Sequence, residues 1–381
     1  MSTIRRIGTR MGLLLDGTSF FPETRATDAP AAKGPASSRR LAFRIKVALA
    51  VCLWVVLIAE LAARHYLGLG TPPLSVAHPL IEYMFKPNQD VRRFGNRVLI
   101  NQYGMRSEPF AIRRQEGEVR IMAFGDSVLN GGALTDHRDM ATTLLQERLK
   151  SKGFSTPVVG SISAGSWGPG NWLAYVREYG LFDADIVVLV ASSHDYDDNP
   201  TFEPLNPLTP PTERPRHAHA EGNESYLPRY NPRHAKHDQH ERSSFVHEAA
   251  NPADAKGLKD LRAFIRLARQ TARQVIVVQH LELEELEKKQ PHPGFGHIRQ
   301  IAEQEGATVL DTAKTFSAAL ARGENPYRDN IHPNQLGQKL LAELLEGALS
   351  YDVLWTAQLE SAKGPEHQPV RTAVHGLARR S

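Results

Sequence analysis

A single cysteine, Cys52, is all the thiol chemistry available to this chain. An internal disulfide is therefore impossible, and cysteine usage says nothing about the redox compartment. The spacings of zinc fingers, the phosphate-cradling Walker loop and RNA-binding signatures are also absent. Charge of one sign is lacking too. Lys and Arg number 46 against 42 Asp and Glu, and much of the small excess lies near the N-terminus. So mild a balance describes no nucleic-acid surface, and no nucleic-acid partner is expected. No uninterrupted apolar run reaches the ~20 residues of an ideal membrane span. The longest, Val47–Ala59, is broken by Glu60 and resumes over Leu61-Ala62-Ala63 to Arg64.

That segment still reads as an anchor. Lys46 and Arg64 bracket it, and both long side chains can reach outward to lengthen the span. Arg39, Arg40, Arg44 and Lys46 stand before it, with Arg5, Arg6 and Arg10 further out. This positive excess places the N-terminal end in the cytoplasm and everything after Arg64 across the membrane. The expected layout is a flexible cytoplasmic tail over 1–40 and a transmembrane signal-anchor over 41–64. A cleaved signal peptide fits less well. The apolar run starts late, and Glu60 falls where an apolar region should end. A buried helix of a soluble protein is the remaining alternative.

Residues 65–118 interleave polar and aromatic residues, as in Ile81-Glu82-Tyr83-Met84-Phe85, and are expected to form a linker and small cap. From Val119 apolar runs alternate with amphipathic stretches. Strands are predicted at Val119–Phe124, from Pro157, and at Ile186–Val190, Val275–Val278 and Thr308–Leu310. Helices are predicted at Ala141–Lys150, Trp172–Tyr179, Ala255–Arg273, His297–Glu305 and Leu336–Leu349. The alternation predicts an α/β fold with a doubly wound, five-stranded parallel sheet, where sites form beyond the strand C-termini. The main domain is expected over 119–350, with a Pro/His-rich insertion at 199–251 and a C-terminal tail over 351–381. In the insertion His234, His237 and His240 stand at i, i+3 and i+6, with His217, His219 and His247 nearby. The spacing lacks carboxylate support, so the segment reads as a solvated excursion or partial lid, and no metal is expected.

Two short blocks carry the chemistry. Gly125-Asp126-Ser127 follows the first predicted strand directly, so the serine stands where strand breaks into turn. Asp329-Asn330-Ile331-His332 lies far later, in a polar loop before the last helix. A serine hydroxyl attacks only when a base takes its proton, and an imidazole base needs a carboxylate to hold its tautomer. Taken singly, Gly-Asp-Ser suits an ordinary turn and His332 could cap the next helix. Together they supply a nucleophile, a base and an orienting acid from the two ends of one domain. Gly165, after the second strand, and His194 with Asp195, after the third, fall on the same predicted sheet edge.

These blocks resemble those of the SGNH (GDSL-like) hydrolase superfamily over roughly residues 119–350. The matching segments are Phe124-Gly125-Asp126-Ser127 with Asn130-Gly131-Gly132, Ser163 to Gly168, Ser192 to Asp195, and Asp329-x-x-His332-Pro333. The resemblance implies a flavodoxin-like SGNH fold and a serine esterase working through an acyl-serine intermediate, with no cofactor. It implies Ser127 as nucleophile, His332 as base and Asp329 as orienting acid. The oxyanion hole would use the backbone N–H groups of Ser127 and Gly165 and a side chain of the third block. That block usually reads Gly-x-Asn-Asp, and here His194 stands for the asparagine. An imidazole N–H can also donate to an oxyanion, in a pH-sensitive way. Asp126 is expected to brace the turn.

The lead-in, Pro87 to Asp90 and Asn101-Gln102-Tyr103-Gly104-Met105-Arg106, resembles membrane-anchored members from bacterial polysaccharide clusters. It implies a single-pass inner-membrane protein with its catalytic domain on the periplasmic side. The expected substrate is an O-acyl ester, O-acetyl first, on a polysaccharide, an envelope glycan or a small molecule. Proteins of polysaccharide biosynthesis or export are the candidate partners. Two alternatives stay open: an O-acyltransferase using the same triad, and a non-catalytic glycan-binding or scaffold subunit of an exopolysaccharide complex.

Overall fold

The alternating apolar runs form a five-stranded parallel sheet in the computed structural model, which describes residues 35–205, 210–222 and 255–362. The chain divides into two units, one ending at Val56 and one starting at Leu57. Helix α1 (Pro35–Ala62) closes in a π-helical turn, Ala63–Leu67. The stretch Arg39–Leu67 is 29 residues long and apolar enough to cross a membrane. At 1.5 Å per residue it reaches roughly 40 Å, more than the ~30 Å hydrocarbon core. Its large apolar side chains, Leu49, Leu53 and Trp54 among them, are exposed.

Glu60, which interrupts the apolar run, has a defined task. Its carboxylate accepts the N–H groups of Ala218 at 2.7 Å and His219 at 3.1 Å, and Arg64 Nε at 2.8 Å. The charge therefore holds helix α5 (Ala218–Glu221), the described end of the Pro/His-rich insertion. Glu221 at the other end of that helix is buried, and it pairs with the buried Arg93. Of the insertion histidines, His217 and His219 are described, while His234, His237, His240 and His247 lie outside the described residues.

Residues 65–118 hold two antiparallel hairpins. Strand β1 (Ser75–His78) pairs with β2 (Glu82–Phe85), and β3 (Gln89–Arg93) with β4 (Asn96–Ile100). Ile81, Tyr83, Met84 and Met105 belong to the main apolar core, so this region packs on the sheet.

Five parallel strands follow: β5 (Glu118–Gly125), β6 (Thr156–Ser163), β7 (Ile186–Ser192), β8 (Gln274–His280) and β9 (Thr308–Asp311). Their order in the sheet is β6-β5-β7-β8-β9. The short helix α2 (Ser127–Asn130) leaves β5. Helices α3 (Ala141–Ser151), α4 (Pro169–Tyr179) and α6 (Lys256–Thr271) cover the earlier strands. The remaining helices are α7 (Leu283–Lys288), α8 (Pro293–Gln304), α9 (Ala313–Ala321), α10 (Gln335–Ala348) and α11 (Tyr351–Ser361).

Alternate residues of β5 and β7 face opposite layers. Met122, Phe124, Val187 and Leu189 pack with α4, α6 and α8. Ile121, Ala123, Val188 and Val190 pack with α3, α10 and α11. Both faces are covered, which is why these strands read as continuous apolar runs. One expectation is corrected here. Residues 351–361 are not tail: α11 inserts Leu354 and Ala357 into the second layer, and Trp355 stacks on Phe154 at 4.3 Å. Residues 363–381 lie outside the described part.

Candidate active site

Strand β5 lies between β6 and β7, so the connections leaving β5 and β6 diverge at its C-terminal end and open a crevice there. The chain turns at Gly125, where a Cβ would meet Leu129 Cβ at 2.8 Å and the Val190 carbonyl at 3.1 Å. Only glycine fits against the neighbouring strand. Asp126 is buried and caps α2, its Oδ1 accepting the Val128 N–H at 2.8 Å. Burial raises its carboxyl pKa, against the opposing pull of His194 and the capped amide. Ser127 thus begins α2, and its Oγ lies 2.9 Å from His332 Nε2.

His332 comes from the loop ahead of α10. Its Nδ1 faces both carboxylate oxygens of Asp329, at 2.9 and 2.8 Å. Asp329 Oδ1 also accepts the backbone N–H of Ile331 at 3.0 Å and of His332 at 2.8 Å. Partial burial works to raise the Asp329 pKa, but these donors outweigh it and hold the carboxyl below the usual range. The loop between the two residues is pinned to the end of β8 and to α7. Asn330 accepts from the N–H of Leu283 at 2.7 Å, and its amide donates to Glu282 at 2.6 Å. His280 Nε2 donates to the Ile331 carbonyl at 2.7 Å. The geometry brings Ser127, His332 and Asp329 into one hydrogen-bonded chain.

Gly165 sits on the same edge. Gly125 pairs with Ser163 across β5 and β6, so Ser127 and Gly165 each lie two residues past one rung. Among the described residues, no acceptor takes the N–H of Ser127 or of Gly165.

His194 departs from the expectation of a free third donor. Its Nε2 lies 3.3 Å from Asp195 Oδ1 and 3.9 Å from Asp126 Oδ2, and its Nδ1 lies 3.4 Å from Glu282 Oε1. Both ring nitrogens therefore face carboxylates. Burial works to keep the ring neutral, but Asp195, Glu282 and Asp126 outweigh it and push the pKa up to about 10. Three carboxylates around position 194 thus favour the charged form of its ring. Two neighbouring side chains able to donate are also committed. Asn130 Nδ2 donates to the Ser163 carbonyl at 3.1 Å, and Ser193 Oγ donates to Glu285 at 2.7 Å.

Several residues that shape the site escaped sequence reasoning. Gln338, fully buried in α10, donates to the Val128 carbonyl at 2.9 Å and accepts the Ala141 N–H at 2.9 Å. Arg106, buried in the lead-in, grips the carbonyls of Asn130, Gly132 and Thr135. The Asn101–Arg106 pattern was its only signal. Tyr83 bonds the Gly165 carbonyl, and nothing in its local sequence marked it.

The family model for GDSL-like Lipase/Acylhydrolase matches residues 123–340, more than half of the chain. An acetylxylan esterase from Geobacillus stearothermophilus, in a catalytic-mutant form, is similar at 14% identity and a TM-score of 0.39, covering 62% of this chain and 97% of that one. A lipase/acylhydrolase from Enterococcus faecalis is similar at 13% identity and a TM-score of 0.37, covering 61% of this chain and 97% of that one. A member of the lipolytic G-D-S-L family from Veillonella parvula is similar at 12% identity and a TM-score of 0.36, covering 61% and 99%. No curated protein matches.

Proposed function

The chain belongs to the GDSL-like lipase/acylhydrolase family and is an SGNH-type carboxylic ester hydrolase, and from that premise we propose a membrane-anchored serine esterase that removes O-acetyl groups from a glycan. The observation that carries the reading is the 2.9 Å approach of Ser127 Oγ to His332 Nε2, with Asp329 on the opposite ring nitrogen.

In this reading Ser127 Oγ attacks the ester carbonyl carbon while its proton passes to His332 Nε2. The N–H groups of Ser127 and Gly165 receive the developing oxyanion, and the held charge of His194 lowers its energy from nearby. The tetrahedral adduct collapses, the C–O bond to the sugar breaks, and His332 returns its proton to the departing alkoxide. Water, deprotonated by the same imidazole, then releases acetate from Ser127. Asp329 keeps the proton on Nδ1, so that Nε2 stays free to act as the base. No metal or organic cofactor enters these steps.

The anchor is the exposed apolar helix. With the arginines before it on the cytoplasmic side, the catalytic unit lies across a bacterial inner membrane, where envelope glycans are within reach.

The test is labelling of the full chain in detergent with a fluorophosphonate, then assay on acetylated xylose and acetylated glycan against long-chain esters. Labelling at Ser127 and a preference for acetyl sugar is the expected result. Absent labelling, or equal labelling of Ser127→Ala, overturns it. Adding an acceptor sugar and weighing acyl-sugar against free acetate separates a hydrolase from a transferase.

A further inference from the structure

The first hairpin does more than cover the core. We infer that Tyr83, carried by β2, is a positioning residue of the reaction, its hydroxyl fixing the Gly165–Ser166 turn that aims the Gly165 N–H at the oxyanion. The inference rests on the proposed role of Gly165.

Three observations support it. First, the Tyr83 hydroxyl donates to the Gly165 carbonyl, the oxygen of the peptide that links Gly165 to Ser166. Second, Ser166 has φ +54°, a left-handed conformation that costs a non-glycine residue roughly 1–2 kcal/mol. A strained residue of this kind persists only where its surroundings hold it. The Tyr83 bond acts on the very peptide that precedes the strain. Third, the hairpin is stapled to this loop through its backbone. Trp167 Nε1 donates to the Tyr83 carbonyl at 3.0 Å, and Asn171 Nδ2 donates to the Ile81 carbonyl at 2.7 Å.

Glu82, between them, is itself left-handed at φ +79°. Its carboxylate takes the N–H groups of Thr201 at 2.8 Å and Phe202 at 3.1 Å, and the Thr201 hydroxyl at 2.9 Å. The Ile81 and Tyr83 carbonyls thus hold the residues after Gly165, the Glu82 carboxylate holds residues 201–202, and the phenol hydroxyl is left for one further task. Tyr83 is buried, and burial, then Glu82, Asp198 and Asp126, hold its pKa far above the ordinary value. The phenol stays a donor at any pH where the triad works.

A merely structural tyrosine would contribute through its ring, which phenylalanine keeps. Removing only the hydroxyl leaves the Trp167 and Asn171 staples in place. The reaction should then suffer where charge develops and not where substrate binds.

The experiment compares wild type, Tyr83→Phe, Ser166→Gly and the double variant, each as the full chain in detergent, on an acetyl ester. Rates are expressed per serine titrated by fluorophosphonate, so misfolded molecules do not register. Tyr83→Phe is expected to lower kcat about ten-fold with KM unchanged, less than the ~10²–10³ lost on deleting a donor outright. Ser166→Gly alone is the reference against which the double variant is read. Because glycine adopts the left-handed turn without strain, the double variant should recover a good part of the lost kcat. A Tyr83→Phe rate within two-fold of wild type overturns the inference. So does a loss carried by KM, or a kcat loss that Ser166→Gly leaves untouched. In those cases wild-type turnover with an inactive Ser127→Ala variant keeps the esterase reading standing.

Discussion

His280 Nε2 donates a 2.7 Å hydrogen bond to the carbonyl of Ile331, the residue immediately before His332. The ring of His280 is fully buried between Phe316 and Tyr327 and holds one side of the catalytic loop as a neutral donor.

Burial drives the His280 pKa down to about 4, against the opposing bond to Ile331. The sign follows from linkage. Below its ordinary value near 6.5 the unfolded chain takes up a proton that the folded chain refuses. Stability from this group is whole above pH 6.5 and is lost as pH falls toward 4, by on the order of 3 kcal/mol over the full window. Urea unfolding at pH 7.5 and 4.5 should show that loss in wild type and a smaller one in His280→Gln. Equal loss in both would sink the assignment.

Ser127→Ala and His332→Ala are each expected to remove most turnover, by several orders of magnitude, and the double variant should lose little more, since the pair acts as a unit. Asp329→Asn should cost about 10⁴-fold in kcat, by the wrong tautomer on His332. Asparagine keeps an Oδ1 that can accept the two backbone N–H groups, so the loop should hold and the loss should fall on kcat. Asp126→Asn should act chiefly on thermal stability, because Asp126 caps α2 rather than touching His332. Wild-type rates in folded Ser127→Ala, checked by circular dichroism, would rule the mechanism out.

His194→Ala and His194→Asn are expected to lower kcat alike, because a charge and not a free donor is lost. A ten-fold recovery in the asparagine variant would reinstate the neutral-donor role. Stability gives a second readout. With the folded pKa raised to about 10, the contribution of His194 is complete below the unfolded value of 6.5 and is lost as pH rises through 10. Thermal melts from pH 6 to 10 should slope downward in wild type and flatten in His194→Asn.

Alkaline phosphatase fused after residue 70 should be active in a bacterial host, and a fusion at residue 38 inactive. Equal activity at both points would refute the topology. A chain beginning at Leu57 should outlast one beginning at His65 in urea, because only the longer one keeps Glu60 as acceptor for Ala218 and His219.

What the sequence made legible was whatever repeats a local rule. Strands β5 and β7 are buried on both faces, so their apolar runs were unmistakable, and the two catalytic blocks stand where strands and loops meet. What stayed hidden depends on distant neighbours. Glu60 looked like a flaw in an apolar run until residues 218 and 219 arrived to use it. Helix α11 buries little beyond Leu354 and Ala357, too thin a stripe to show against its polar face. The commitment of His194 to three acids could not be read from residue 194, because Glu282 reaches it from beyond β8.

Gln338 turns the architecture into a clock. Its side chain closes on Val128 and Ala141, which precede it by 210 and 197 residues. At about 5–20 residues per second, a growing chain presents its nucleophile turn roughly 10–40 s before that clasp emerges. Its serine is made well before its base, His332, is synthesised. The triad is thus incomplete until His332 has joined the chain, 205 residues after Ser127.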